Sequence, residues 1–416
     1  MKIAFITNVF PVLYNTFTVN EIEQLMQKGH GVTVFSLHRW YRPVNYEKSI
    51  KMADAVQYFE DVLARDRGAV MRVLVEHSGK IHRISPRVYE SIGRYLFGGR
   101  VDTAIAQKYH DQLGWNVYAL GDMANAIQSD RFDVIHAGYG NRPAEAAMAL
   151  SRMTGVPFSF EAHAYDLFVD FPFADEKIRE AAKIFTISNY NKDYFVGKLG
   201  CTPEKVAVMR VPIDKAHCDQ IPEQTRENDL LIAVCRLHPI KGLDNALEAL
   251  KLVAEKRKSV RLILVGDGPQ RAHLERMTQK LSLQNNVVFS GSKGNDEALA
   301  LVAKATAFVL PSVIAANGDR DGIPTSLIEA MYLRTPVIST RVSGIPELID
   351  DGINGLLAEP GDIQGLAQKI EQVLGDPALR ERLGRAAREK VEHGFYVQDT
   401  AEVLLGGWKE TITHAS

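Results

Sequence analysis

The chain predicts an α/β fold built as two consecutive doubly wound domains, and three observations carry that reading. Short apolar runs alternate with segments of helical period along its length, the order that produces βαβ units and parallel sheets. One polar stretch, DKAHCDQIPEQTREND (214–229), interrupts the alternation, and the pattern restarts immediately after it. At 416 residues the chain is also too long for one ordinary core and suits two.

In order, 2–7 reads as a first strand, 18–28 as a helix and 32–36 as the next strand. Buried strands follow at 133–137, 158–161 and 184–187, and 206–211 closes the set. The stretch 214–229 reads as a linker. LLIAVCRL (230–237), RLILVGDGP (261–269), VVFSG (287–291), AFVLPS (307–312) and TPVIST (335–340) supply the second set of strands. Charged helical segments at 363–374 and 378–392 follow, and FYVQDTAEVLLGGWKE (395–410) reads as an amphipathic last helix. The expected division is 1–213, a linker over 214–229, and 230–394, with 395–416 packing back on the first domain.

Composition narrows the function classes. Apolar content of 46% with 24% charged residues is that of a soluble globular protein, and a net charge of −2 gives no basic field to attract nucleic acid. Cys201, Cys218 and Cys235 form no CxxC pair, which argues against a structural zinc site or a disulfide framework and favours a reducing compartment. MKIAFITNVF reads as a strand rather than a leader, and no window approaches the ~18 apolar residues of a membrane span. A cytoplasmic protein is expected. Eight Arg or Lys against three Asp or Glu between Arg65 and Arg100 make either a solvated helical face or a surface that leans on an anionic membrane.

DGIPTSLIEA (321–330) holds the strongest chemistry. Pro324 suits the first turn of a helix, leaving the amides of Thr325, Ser326 and Leu327 without intrahelical acceptors. Those donors and the positive end of the helix dipole favour a phosphate. Gly322 lets a ligand approach the backbone. Glu329, one turn in, reaches the rim of the same pocket and suits ribose hydroxyls. Asp321 faces whatever lies beyond the phosphates. CRLHPIKG (235–242) places Arg236 and Lys241 after a strand, at the sheet edge where open α/β folds bind ligands; a guanidinium and an ammonium there neutralise a diphosphate. VGDGP and SGSKG read as mostly structural turns. In GDRDG (318–322) the acids read as loop charge rather than metal ligands. Each motif alone is commonplace, and their convergence on one sheet edge makes the site.

CRLHPIKG, VGDGP, VVFSGS, LPS, DGIPTSLIEAM and TPVISTRVSGIPELIDDGINGLL, in that order, resemble the retaining GT-B glycosyltransferases of family four, over roughly 230–375. FPVLYNTFTVNEI (10–22), EAHAYD (161–166) and FTISNY (185–190) look like the exopolysaccharide subgroup that includes colanic-acid assembly enzymes. The resemblance implies two Rossmann-like domains facing across a cleft, 1–213 on the acceptor side and 230–394 binding the nucleotide sugar. It also implies sugar transfer with retention from a nucleotide-diphosphate donor to a glycan or lipid-linked acceptor, with no cofactor and no metal. A UDP-sugar is expected as donor, with a GDP-sugar as the alternative. Glu329 is then the ribose ligand; Arg236, Lys241, Thr325 and Ser326 hold the diphosphate, and Gly322, Ile323 and Pro324 the sugar. The family's paired glutamates have seven residues between them; Asp321 and Glu329 keep that spacing, with the first acid one methylene shorter. His163 matches the histidine that faces the donor sugar, so His163 and Asp321 are the expected catalytic pair. Asn15, Thr16 and Asp166 are the expected acceptor contacts. An epimerase of the same fold, a pyridoxal-phosphate phosphorylase and a non-catalytic nucleotide-sugar sensor remain as alternatives, as does a small soluble acceptor.

Overall fold

The computed structural model describes residues 1–10, 16–39, 56–58, 116–211, 213–222, 224–395 and 397–415. The basic stretch 65–100 lies outside them. Contacts divide the chain into two units: Met1–Thr186 with Tyr194–Ala207 and Ala401–Ser416, and Ile187–Asp193 with Val208–Thr400.

The first unit is built on a seven-stranded sheet of β1 (Lys2–Phe10), β2 (Gly31–Arg39), β3 (Val56–Tyr58), β4 (Val134–Ala137), β5 (Phe158–Ala162), β6 (Lys183–Thr186) and β7 (Val206–Val208). Their order is β3-β2-β1-β4-β5-β6-β7. The β1–β2, β1–β4, β2–β3, β4–β5 and β5–β6 pairs are all parallel. Every residue of β4 and β5 is buried, as expected of strands covered on both faces. The helix Arg142–Thr154 starts with Pro143 in its first turn and stops at Gly155, whose φ of 80° provides the left-handed cap. The last helix, Val397–Ala415, contributes Trp408, which is wholly buried. Gly407 lets this helix lie against β6, since a Cβ there would sit 2.7 Å from the Phe185 ring.

The second unit carries β8 (Leu230–Val234), β9 (Arg261–Val265), β10 (Val287–Gly291), β11 (Ala307–Leu310), β12 (Val337–Thr340) and β13 (Leu356–Ala358), in the order β10-β9-β8-β11-β12-β13. All its pairings are parallel. Leu247, Leu250 and Val253 of the helix Leu243–Lys256 are fully buried against the sheet, each contributing roughly 1.5–3 kcal/mol.

Residues 214–229 are laid on the second unit rather than left as a free tether. Asp214 caps the short helix Lys215–Cys218. Arg226 donates to the Ala305 and Arg334 carbonyls at 2.8 and 2.9 Å and to Thr335 Oγ1 at 3.0 Å. The segment reads as a linker because hydrogen bonds, not apolar side chains, anchor it. In both sheets the strand order reverses beside the first strand, between β1 and β4 and between β8 and β11, which is where open α/β sheets bind ligands.

Candidate active site

In the second unit the loops after β8 and β11 meet at that reversal point. Lys241 sits in the 3-10 turn Pro239–Lys241, and Gly242 follows with φ 62°. A Cβ on Gly242 would lie 1.9 Å from the Pro311 carbonyl, so only glycine lets this turn press against the end of β11. Lys241 Nζ then reaches Asp321 Oδ1 at 2.5 Å, while Ser312 Oγ donates to Asp321 Oδ2 at 2.6 Å. Burial works against the Lys241 charge, but Asp321 outweighs it and raises the ammonium above its ordinary value. Arg236 is exposed and has no ion partner among the described residues, so its charge is free for a ligand. The neighbouring Cys235 thiol is pushed up to about 12 by burial and stays protonated near neutrality.

The helix Thr325–Tyr332 begins one residue later than expected. Pro324 is its N-cap, with φ −62° and ψ 126°. Its carbonyl accepts from the Leu327 amide at 3.1 Å, which takes Leu327 out of the expected set of free donors. The Thr325 and Ser326 amides keep no acceptor among the described residues, which is the anion-binding arrangement of a helix start. Gly322, Ile323 and Pro324 are buried in the turn leading to them. Glu329 is half-buried with no hydrogen-bond or ion partner among the described residues, and burial alone pushes its carboxyl up to about 7. The two acids of the motif are therefore in different states: Asp321 is committed to Lys241 and Ser312, and Glu329 is unengaged. The VGDGP turn is structural: a Cβ on Gly268 would lie 2.4 Å from the Leu237 carbonyl, and the Leu237 amide bonds the Asp267 carbonyl at 3.0 Å.

The first unit holds a second polar cluster at the ends of β4 and β5. His163 follows β5, and its Nε2 lies 3.3 Å from Glu161 Oε2, an electrostatic contact too oblique for a well-formed hydrogen bond. Glu161 Oε1 is 2.9 Å from His136 Nε2. Burial would raise the Glu161 carboxyl, but the two imidazoles outweigh it and hold it below its ordinary value. For His163, burial opposes the charge; Glu161, then Asp166 and the Gly138 carbonyl, outweigh it and raise the imidazole. Glu21, on the helix Thr16–Gln27, is raised well above the carboxylate range by burial and by Glu161. Two carboxyls enclosed together cannot both ionise, so Glu21 keeps its proton.

Asp166, expected as an acceptor contact, is placed as a helix cap. It is buried, and its Oδ2 accepts from the Gly140 amide at 2.9 Å and the His163 amide at 3.2 Å, capping the helix Ala164–Phe168. A carboxylate spent on two backbone donors has a structural role here. Asn15 lies outside the described residues; Thr16 opens the helix Thr16–Gln27, and its side chain is likewise outside them. Glu21, His136 and Glu161 were not foreseen as site residues. The available signal was polar residues in otherwise apolar buried strands, His136 in VIHA and Ser159 with Glu161 in FSFEA.

Comparison with known proteins gives the family of the chain. The model of glycosyl transferases group 1 matches residues 217–390, and that of glycosyltransferase family 4 matches 15–217. The chain is 29% identical over 415 residues to the "Putative colanic acid biosynthesis glycosyltransferase WcaL" of Escherichia coli (strain K12), covering 96% of this chain and 97% of that one. It is 26% identical over 409 residues to the amylovoran biosynthesis glycosyltransferase AmsK of Erwinia amylovora, covering 95% and 96%. Among solved structures, Anabaena HepE in complex with UDP superposes with a TM-score of 0.70 at 17% identity, covering 99% of this chain and all of that one; at that identity the likeness concerns fold. With two parallel Rossmann-like sheets and both family models abutting along 15–390, the chain belongs to the family-four glycosyltransferases of GT-B fold.

Proposed function

We propose that this glycosyltransferase moves a sugar, with retention at the anomeric carbon, from a UDP-sugar to a hydroxyl of a glycan or lipid-linked oligosaccharide in exopolysaccharide assembly. The observation that carries the reading is the second unit's sheet edge. There a free guanidinium, an ammonium set by Asp321, two unpaired helix amides and an unengaged carboxylate come from loops flanking one reversal point. The colanic acid and amylovoran enzymes support the assembly role, and HepE, solved with UDP-glucose, supports the donor class.

In this reading Glu329 accepts from the ribose hydroxyls. Arg236, Lys241 and the amides of Thr325 and Ser326 hold the diphosphate, and the 322–324 turn meets the sugar. As the bond from the anomeric carbon to the diphosphate oxygen breaks, negative charge grows on that oxygen, where fixed donors stabilise it. The acceptor hydroxyl forms the new bond on the same face and its proton passes to the departing phosphate oxygen. No protein nucleophile and no metal are called on. Lys241 has three donors and can serve Asp321 and a phosphate oxygen together. The first unit's contribution to the reaction is His163.

The test is calorimetric titration with UDP-glucose, GDP-mannose and free UDP, followed by NMR of the anomeric configuration of any transferred sugar. Binding of a nucleotide sugar that weakens about tenfold in Arg236→Ala, with an α-linked product from an α-linked donor, is the expected result. An inverted product refutes the retaining mechanism, and an isomerised donor without acceptor indicates an epimerase.

A further inference from the structure

A chain of buried polar groups runs through the first unit from its last helix to His163. Trp408 Nε1 donates to Ser159 Oγ at 2.9 Å. The Ser159 hydroxyl, which has an acceptor lone pair and a proton left for a second partner, lies 2.8 Å from His136 Nδ1. His136 Nε2 faces Glu161 Oε1 at 2.9 Å. The other oxygen of Glu161 lies 3.3 Å from His163 Nε2. Strand geometry makes the chain possible: Ser159 and Glu161 are two apart on β5 and share a face, and His136 is the register partner of Ser159 on β4. The rings of Phe5, Phe185 and Trp408 enclose His136 with centroids 5.1, 5.7 and 5.1 Å away.

Such a chain is costly to build. Taking the Glu161 carboxylate and the His163 imidazolium out of water carries a penalty of several kcal/mol per ion, and apolar residues of equal volume are often as stable. A single group at its end emerges toward solvent: His163 is 15% exposed, against 1% for Glu161 and none for His136. The backbone of His163 is held separately, by Asp166. The rings of Phe17 and Tyr139 each pack 5.3 Å from that of His163 and 6.5 Å from each other.

We infer that Glu161 is a positioning residue for His163, fixing the direction of its imidazole, and that Trp408, Ser159 and His136 hold Glu161 in turn. The inference rests on the reading of His163 as a participant in sugar transfer. Its electrostatic consequence is a His163 ring that stays protonated to higher pH than an ordinary histidine. Among the described residues, the charged or titratable groups facing that ring are Glu161, Asp166 and the Tyr139 phenol, with Glu21 behind Glu161 and protonated.

The experiment is NMR of the full chain with isotope-labelled histidine, the His163 signal assigned by its loss in His163→Gln. It is paired with the steady-state rate of UDP release from UDP-glucose. In the unaltered protein His163 should titrate above about 6.5. In Glu161→Gln its titration should fall, because the largest of the effects opposing burial is removed and only Asp166 and the Gly138 carbonyl remain. The turnover number should drop about tenfold or more while the KM for UDP-glucose moves less than about threefold. His163 titrating at or below the ordinary value in the unaltered protein overturns the inference. So does a folded Glu161→Gln variant with an unmoved His163 titration or an unchanged turnover number. If Glu161→Gln does not fold, Trp408→Phe cuts the far end of the chain; a smaller downward shift of His163 supports the inference, and none overturns it. An unchanged rate in His163→Gln instead sinks the reading of His163 in transfer, while the titration still decides the Glu161 contact.

Discussion

Raising the pH from about 6 to about 8 should tighten the binding of a nucleotide sugar by about tenfold, and the slope should vanish in Glu329→Gln. Glu329 is pushed up to about 7 by burial alone, with no cation beside it to offset the cost of its charge. Only the ionised carboxylate accepts from both ribose hydroxyls, so the apparent affinity follows its ionised fraction. That fraction rises from roughly one tenth a unit below the midpoint to roughly nine tenths a unit above it, and each tenfold is about 1.4 kcal/mol. Both phosphates of a nucleotide sugar are esterified and keep constant charge over this range, so the ligand contributes no slope of its own. The assay is isothermal titration of UDP-glucose into the full chain at half-unit pH intervals.

The same group makes an opposite claim about the unliganded protein. A carboxyl whose folded value lies above its unfolded value binds more protons folded than unfolded, so stability falls as pH rises between about 4.5 and about 7. Glu329→Gln should therefore raise the melting temperature at neutral pH while it weakens nucleotide binding, the trade between stability and function expected of a binding group kept unsatisfied. A flat binding profile for the unaltered chain, a slope that survives in Glu329→Gln, or a destabilised Glu329→Gln would each refute the assignment.

Three further outcomes are expected. Arg236→Ala should lower donor affinity about tenfold and flatten the dependence of affinity on salt, with unfolding free energy changed by less than ~0.5 kcal/mol, since Arg236 is exposed and unpaired. Asp321→Asn leaves the Lys241 ammonium buried without its partner and should cost about 3 kcal/mol in urea unfolding. Gly242→Ala combines a φ of 62° with a Cβ placed 1.9 Å from the Pro311 carbonyl; it should cost roughly 2 kcal/mol or more and reduce donor affinity by moving Lys241, both readable by denaturation and calorimetry on one sample.

Much of the second unit's site could be read from the chain because its parts are local. Arg236 and Lys241 sit within one loop, Asp321 to Glu329 within one turn and helix, and the order of apolar runs places both loops at one sheet edge. What the linear order concealed was pairing. Nothing in CRLHPIKG says that Lys241 is already occupied by Asp321, because that contact depends on Gly242 tucking beneath Pro311. Pro324 was placed one residue too deep in its helix, since proline suits the N-cap and the first turn almost equally. The stretch 214–229 reads as a linker because low apolar content does not distinguish a free segment from one pinned by Arg226. In the first unit, Trp408, Ser159, His136 and Glu161 are scattered over more than half the chain, and only the sheet register and the last helix bring them together.

The two acids of the 321–330 segment show why spacing alone does not assign a role. Their separation matches the family's pair, yet Asp321 is buried with both oxygens engaged and Glu329 has none engaged. A shorter first acid follows from that geometry: Ser312 and Lys241 converge on Asp321 from two loops, and one more methylene would push the carboxylate past the Ser312 hydroxyl. Asp321→Glu should therefore keep the Lys241 pair and lose the Ser312 bond. Such a bond is worth about 1.5–3 kcal/mol to a charged group. If instead Asp321→Glu is as stable as the unaltered chain, Ser312 is not what holds the first acid, and the shorter side chain must be explained by what it meets in the donor.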